Sequence, residues 1–208
     1  MVVRWQVSPL NLKQPRYLLL AAAFLLPPGA LAAKLEVQVQ NSSGQPMAGA
    51  VVFLESAAAS AAVKPAATAQ IIQRDTTFIP EVLVIPRGSA VTFPNQDTVR
   101  HHVYSFSAIK PFELKLYVGT PTEPVLFEQS GVAALGCNIH DQMIAWVVVL
   151  DTPYYSHTNN DGLAVLNDVP AGDYTLRVWH KTLLSEADVP NLPLSLNSKT
   201  PLQQVKLK

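Results

Sequence analysis

Cys137, His140 and Met143 are spaced three residues apart in the string Cys137-Asn138-Ile139-His140-Asp141-Gln142-Met143. Cys137 is the only cysteine in the 208-residue chain, and two more imidazoles, His101 and His102, lie upstream. One thiolate, two imidazoles and one thioether make a soft donor set that suits copper. A trigonal Cys/His/His site with a weak axial Met is an electron-transfer arrangement. Zinc also accepts Cys and His, but the thioether argues for copper. Taken singly, Cys137 and Met143 read as core residues, and His102, His157 and His180 as surface or hydrogen-bonded histidines. The metal reading comes from the four side chains in one frame.

These residues need elements to position them. Successive side chains of a strand point to opposite faces, so His101 and His102 cannot readily serve one metal ion together. Cys137 closes a strand-like run that opens at Gly131. His140 and Met143 fall in the loop that follows, and a separate strand must supply the remaining imidazole. Ile144 to Leu150 is apolar at nearly every position, as in a strand buried on both faces. Further strands are expected at 35–39, 50–54, 82–85, 90–93, 101–106, 114–118, 124–127, 163–166 and 173–179, where short β-rich runs are bounded by Pro, Gly and Asn-Asp turn chemistry. Residues 57–69, rich in Ala without apolar periodicity, read as a flexible linker, with a short helix as the alternative. Many short strands and no long helix predict an all-β chain of sandwich type.

Residues 1–32 carry Arg4, Lys13 and Arg16, an apolar run from Leu18 to Leu26, then Pro27-Pro28-Gly29 and Ala30-Leu31-Ala32. This is the pattern of a secretory signal peptide, with an uncleaved anchor as the alternative. From Lys34 onward the chain has 12 basic and 15 acidic residues. A net acidic chain is a poor match for nucleic acid. No second long apolar run follows, so no membrane span is expected after cleavage. An exported chain with one cysteine cannot close an internal disulfide, and burial or ligation would protect the thiol from oxidation. No Ser/His/Asp set, carboxylate pair or phosphate loop suggests an enzyme; Asp97, Glu113 and Asp141 read as solvated surface acids.

Phe78-Ile79-Pro80, Val82-Leu83-Val84, Pro86-Arg87-Gly88, Val91-Thr92-Phe93 and Asn95-Gln96-Asp97, with the Cys137-x2-His140-x2-Met143 loop, resemble a cupredoxin over residues 71–150. The short loop is similar to that of the amicyanins. The resemblance implies a Greek-key β-sandwich holding one type 1 copper ion. The family's first ligand His lies six positions after a strand-ending Asn. Asn95 plus six is His101, so the resemblance selects His101, with Cys137, His140 and Met143 as the other ligands. It gives Asn95 a supporting role, stiffening the ligand loop by hydrogen bonding, and makes the solvent edge of His140 the electron exit. Leu135, where the family often has an aromatic residue, and His102, where it often has Asn or a small residue, depart from the pattern. Neither removes a ligand, and both lie where surroundings tune a metal site.

Gly44-Gln45-Pro46-Met47-Ala48-Gly49 and Val169-Pro170-Ala171-Gly172-Asp173-Tyr174 resemble the two halves of a carboxypeptidase-regulatory-like or transthyretin-like sandwich. The expected organisation is a signal peptide at 1–32, this second sandwich split between 33–56 and 151–208, an Ala-rich linker at 57–70, and the cupredoxin unit at 71–150. The whole resembles bacterial exported proteins of the methylamine-utilisation or plastocyanin-like type. That resemblance implies a periplasmic carrier of single electrons whose partner is a redox protein such as a c-type cytochrome or a dehydrogenase. The alternatives are a copper-binding or delivery protein without redox turnover, and a structural β-module whose loop is vestigial or holds zinc.

Overall fold

The computed structural model describes residues 32–183 and 185–208. All of the expected signal peptide except Ala32 lies outside the described residues. The first strands are β1 (Ala32–Gln40), β2 (Val51–Glu55), β3 (Ile72–Arg74), β4 (Thr77–Ile79), β5 (Val82–Pro86) and β6 (Ser89–Val91). The middle of the chain forms β7 (His101–Ser105), β8 (Phe112–Tyr117), β9 (Val125–Phe127), β10 (Gly131–Gly136) and β11 (Ile144–Leu150). The remainder forms β12 (Tyr155–His157), β13 (Leu163–Pro170), β14 (Gly172–Trp179), β15 (Asn191–Leu196) and β16 (Gln203–Lys206). Among the described residues, helix is limited to α1 (Ala57–Ala61) and one 3-10 turn at Glu186–Asp188. The chain is an all-β sandwich protein.

Two apolar cores account for most of the packing. The first lies between the sheet β13-β1-β16 and the sheet β12-β2-β14-β15. Leu35, Val37 and Val39 alternate along β1 into this core and meet Val52, Leu54, Leu176 and Val178. The second is covered on one side by the sheet β5-β11-β10-β7-β8 and includes Phe78 of β4 and Phe127 of β9 from the small pairs β3-β4 and β6-β9. Phe93, Val103, Ala133, Leu135, Cys137 and Met143 belong to it.

A third cluster joins the two. Val51 and Phe53 of β2 and Trp179 of β14 pack on Val84 of β5 and on Val148 and Leu150 of β11. β2 and most of β11 are therefore covered on both faces, which explains runs that are apolar at every position rather than alternating. Burying each such side chain is worth about 1.5–3 kcal/mol. At the rim, Arg87 Nε donates to Asp151 Oδ1 at 2.8 Å and Ser60 Oγ donates to Asp151 Oδ2 at 2.6 Å. The Ser60 hydrogen bond, together with the Arg87 bond and charge, outweighs desolvation and holds the Asp151 carboxyl below its ordinary range.

Residues 57–61 form a helix, the short-helix alternative to the flexible linker expected over 57–69. Ser56 Oγ accepts the Ala59 N–H at 3.1 Å, an N-cap that satisfies a free helical donor, and Ala59 is fully buried. Tertiary burial of one alanine and the Ser60–Asp151 bond order a segment too short to be helical by itself.

Candidate metal centre

Strand period builds the centre. Ala133 and Leu135 of β10 face the core, so Cys137, two positions further on, continues to the same side and is 3% exposed. On β7, His101, Val103 and Ser105 are buried to 1% or less. The pairing of Gly136 with Tyr104 fixes β7 beside β10, which sets His101 next to Cys137. After Cys137 the chain turns, and the Met143 N–H donates to the His140 carbonyl at 2.9 Å. That turn brings His140 back over the end of the sandwich.

His101 Nδ1 lies 4.0 Å and His140 Nδ1 3.9 Å from Cys137 Sγ. The donor atoms of His101, Cys137 and His140 all lie within 4.8 Å of one another, the one such His, Cys or carboxylate group among the described residues. The two imidazole rings are 5.0 Å apart, centroid to centroid. Met143 is 1% exposed and shares a core with Cys137. Both also line a groove of about 480 Å³ walled by Tyr104, Phe106 and Ile144. His140 is half-buried, and its neighbour Ile139 is 49% exposed. Two imidazoles and a thiolate at this separation can close on one ion, with a thioether in the same core.

The neighbours of His101 fix its protonation. Its Nε2 lies 2.7 Å from Asp97 Oδ2. An ionised carboxylate only accepts, so Nε2 carries a proton in this pair, and Nδ1 is the nitrogen that faces Cys137. Desolvation opposes ionisation of Asp97. The hydrogen bonds from His101 and from the backbone N–H groups of Thr76 and Asp75 outweigh it and hold the carboxyl below its ordinary value. Asp97 is therefore not the solvated surface acid that its sequence context suggests. Its importance is invisible locally because its donors come from another strand pair.

Asn95 is 5% exposed and fully engaged. Its Oδ1 accepts the Asp97 N–H at 2.9 Å, and its Nδ2 donates to the carbonyls of Val99 and Tyr117, both at 2.9 Å. It thus braces the segment that leads into His101. His102 points away from the cluster. Its Nδ1 is 2.7 Å from Asn138 Nδ2, and its Nε2 lies 3.0 Å from Glu113 Oε1, off the line of a good hydrogen bond. Glu113 accordingly stands beside an imidazole and is not merely solvated, whereas Asp141 is exposed. Tyr117, partly buried against the same core, donates to the Phe93 carbonyl at 2.7 Å and accepts from Gln73. Burial pushes its phenol up to about 12, a Gln73 hydrogen bond opposes this, and the Cys137 charge adds to it. His157 and His180 lie in a separate cleft with Glu81 and Lys181. Burial lowers the pKa of both.

No protein-family model matches the sequence, and no curated protein matches it. Solved structures do. The chain is similar to a purple cupredoxin from Nitrosopumilus maritimus, at 28% identity and a TM-score of 0.36. That match covers 39% of this chain and 99% of that one. It is similar to the reduced Cu(I) form of an amicyanin mutant, at 20% identity over 48% of this chain and 98% of that one, with a TM-score of 0.36. A copper-containing nitrite reductase from Thermus scotoductus SA-01 matches at 20% identity over 54% of this chain and 28% of that one, with a TM-score of 0.38.

Proposed function

We propose that this protein is a type 1 copper protein that carries single electrons between partner proteins and catalyses no reaction of its own. His101, Cys137, His140 and Met143 would hold the ion. The observation that carries the reading is the approach of two imidazole nitrogens to one buried thiol, 3.9 and 4.0 Å away. Bound copper would supply the one-electron couple. Burial of Cys137 and His101 keeps water off the thiolate, and the fixed Asp97 and Asn95 limit rearrangement of their neighbours. His140, half-exposed beside Ile139, is the edge through which a partner would exchange the electron. That partner would be a redox protein such as a c-type cytochrome or a dehydrogenase. The expected setting is the periplasm, reached through the leader at 1–32, with no membrane span left after cleavage. The sandwich from 33–56 and 151–208 would act as a frame into which residues 71–150 are inserted.

One observation favours a second reading, copper binding or delivery without redox turnover. The groove beside Tyr104, Phe106 and Ile144 reaches Cys137 and Met143, the two sulfur donors. An electron carrier has no need of such an approach, while a delivery protein does.

Addition of Cu(II) to the purified protein, followed by visible and electron paramagnetic resonance spectra, separates these readings. Electron transfer predicts an intense blue or purple band with narrow hyperfine splitting, lost completely in Cys137→Ser. Tight Cu(I) binding without that band favours delivery. Zinc uptake without copper, or no metal at all, leaves a structural module.

A further inference from the structure

β3 runs parallel to the segment that precedes β7. Gln73 donates its backbone N–H to the Pro94 carbonyl at 2.8 Å, and Gln96 donates to the Gln73 carbonyl at 2.8 Å. Gln73 therefore sits beside Asn95, and two residues on, Asp75 meets Asp97. At that point β3 turns into β4 through a two-residue loop, since Arg74 pairs with Thr77. Asp75 and Thr76 have φ of 52° and 53°. Two consecutive left-handed residues define the tight hairpin turn normally written with Asn and Gly, and a β-branched residue such as Thr76 is disfavoured there. This conformation aims both backbone N–H groups at one carboxylate. Asp75 N–H donates to Asp97 Oδ1 at 2.7 Å and Thr76 N–H to Oδ2 at 3.0 Å. Oδ2 is also the oxygen that accepts from His101 Nε2. The Asp97 side chain is 13% exposed and that of His101 is fully buried, so water has little opportunity to replace any of the three donors.

We propose that the Asp75–Thr76 hairpin tip is a remote positioning device for His101. By clamping the Asp97 carboxylate at both oxygens, it holds the imidazole as the Nε2–H tautomer with Nδ1 turned bare toward Cys137. This rests on reading His101 as a metal ligand. The clamp explains why the carboxylate cannot rotate away from the imidazole. It also predicts different faults when the charge alone and when the whole acceptor is removed. In Asp97→Asn, an amide nitrogen must replace one oxygen. At the Oδ1 position it would face the Asp75 N–H. The carbonyl oxygen at the Oδ2 position then still accepts from Thr76 and from His101 Nε2, so Asp97→Asn loses one clamp contact and keeps the tautomer, whereas Asp97→Ala removes the acceptor and frees the imidazole proton to move onto Nδ1. A group that only capped the turn would leave the tautomer unchanged.

The test uses nitrogen-15 spectra of the His101 ring in the metal-free full chain, together with copper affinity. The wild-type ring should show a proton on Nε2 in slow exchange with solvent. Asp97→Ala should move that proton toward Nδ1 and weaken copper binding by roughly tenfold or more. Replacing Thr76 by its α-hydroxy acid analogue turns that N–H donor into an ester oxygen and leaves Asp97 and His101 in place, so it should shift the tautomer balance in the same direction by a smaller amount. The double variant Asp75→Gly/Thr76→Gly keeps both donors and suits positive φ, so it should match wild type within about twofold. A wild-type ring protonated on Nδ1, or an Asp97→Ala ring still protonated on Nε2 with unchanged affinity, overturns the proposal. If the wild type binds no copper, the functional reading fails, while the metal-free spectra still decide the role of the clamp.

Discussion

The two cores of this molecule differ in what they bury. The core built by β1, β2, β13, β14 and β16 is almost wholly aliphatic, with Tyr174 and the nearby Thr158 as its polar contributors. The core behind β7 and β10 buries or partly buries Gln73, Asn95, His101 and Ser105 among its phenylalanines, with His102 under the outer face of β7. Buried polar groups cost stability unless each finds a partner. His101 belongs to the His/Cys cluster and Asn95 braces the segment leading into it, so their retention points to function, and the aliphatic core points to support. One sandwich is built to stay folded and the other to hold a few atoms in register.

Mutations can break or sharpen that contrast. The largest expected effect on stability is Leu176→Ala in the aliphatic core, at about 2–5 kcal/mol. Chemical denaturation should show the loss while the copper spectrum stays at its wild-type wavelength; a displaced band would mean that the two cores are not separable. Gly136→Ala should do the reverse. An added Cβ would lie 2.7 Å from the Tyr104 ring and its hydroxyl. Tyr104 must then swing aside next to Cys137, at about 1 kcal/mol of stability, toward the low end of the cost of overpacking, and with a visible spectral shift. An unaltered spectrum would show that the β7–β10 contact does not shape the site.

The smallest effect belongs to the seam. Asp151 is partly exposed, so Asp151→Asn should cost under about 1 kcal/mol after solvent screening. Its carboxyl is depressed in the folded protein. The contribution is therefore present above the unfolded value of about 4 and is lost as pH falls through the lower folded value. Stability measured from pH 7 down to pH 3 should show an acid loss that is shallower in the variant. Curves that coincide would mean that Asp151 does not tie the two units together.

Much of this architecture is written locally. Period-two alternation marks β1 and β14, and unbroken apolar runs mark β2 and β11, because burial on one face or on both imposes those patterns directly. β15 and β16 are less visible. β15 is an edge strand carrying Pro193, which only an edge tolerates, and β16 is four residues long and pairs in parallel with β1. The alanine-rich segment looks featureless until Ser56 caps it and Ala59 finds a place in the core.

The sequence by itself determined the donor types and their order, since Cys137, His140 and Met143 sit in one short loop whose spacing is a local property. It also determined that His101 and His102 must face opposite sides, because adjacent residues of a strand do. The resemblance selects His101 of the two, and the tertiary structure supplies the physical reason, the register of β7 against β10. Only the tertiary structure turned Asp97 from a surface acid into the partner of His101. Its three donors come from Asp75, Thr76 and His101, and no sequence interval encodes their meeting. Asp75 and Thr76 are brought to Asp97 by parallel pairing across some 20 residues of chain, where long-range packing, not local propensity, sets the distances.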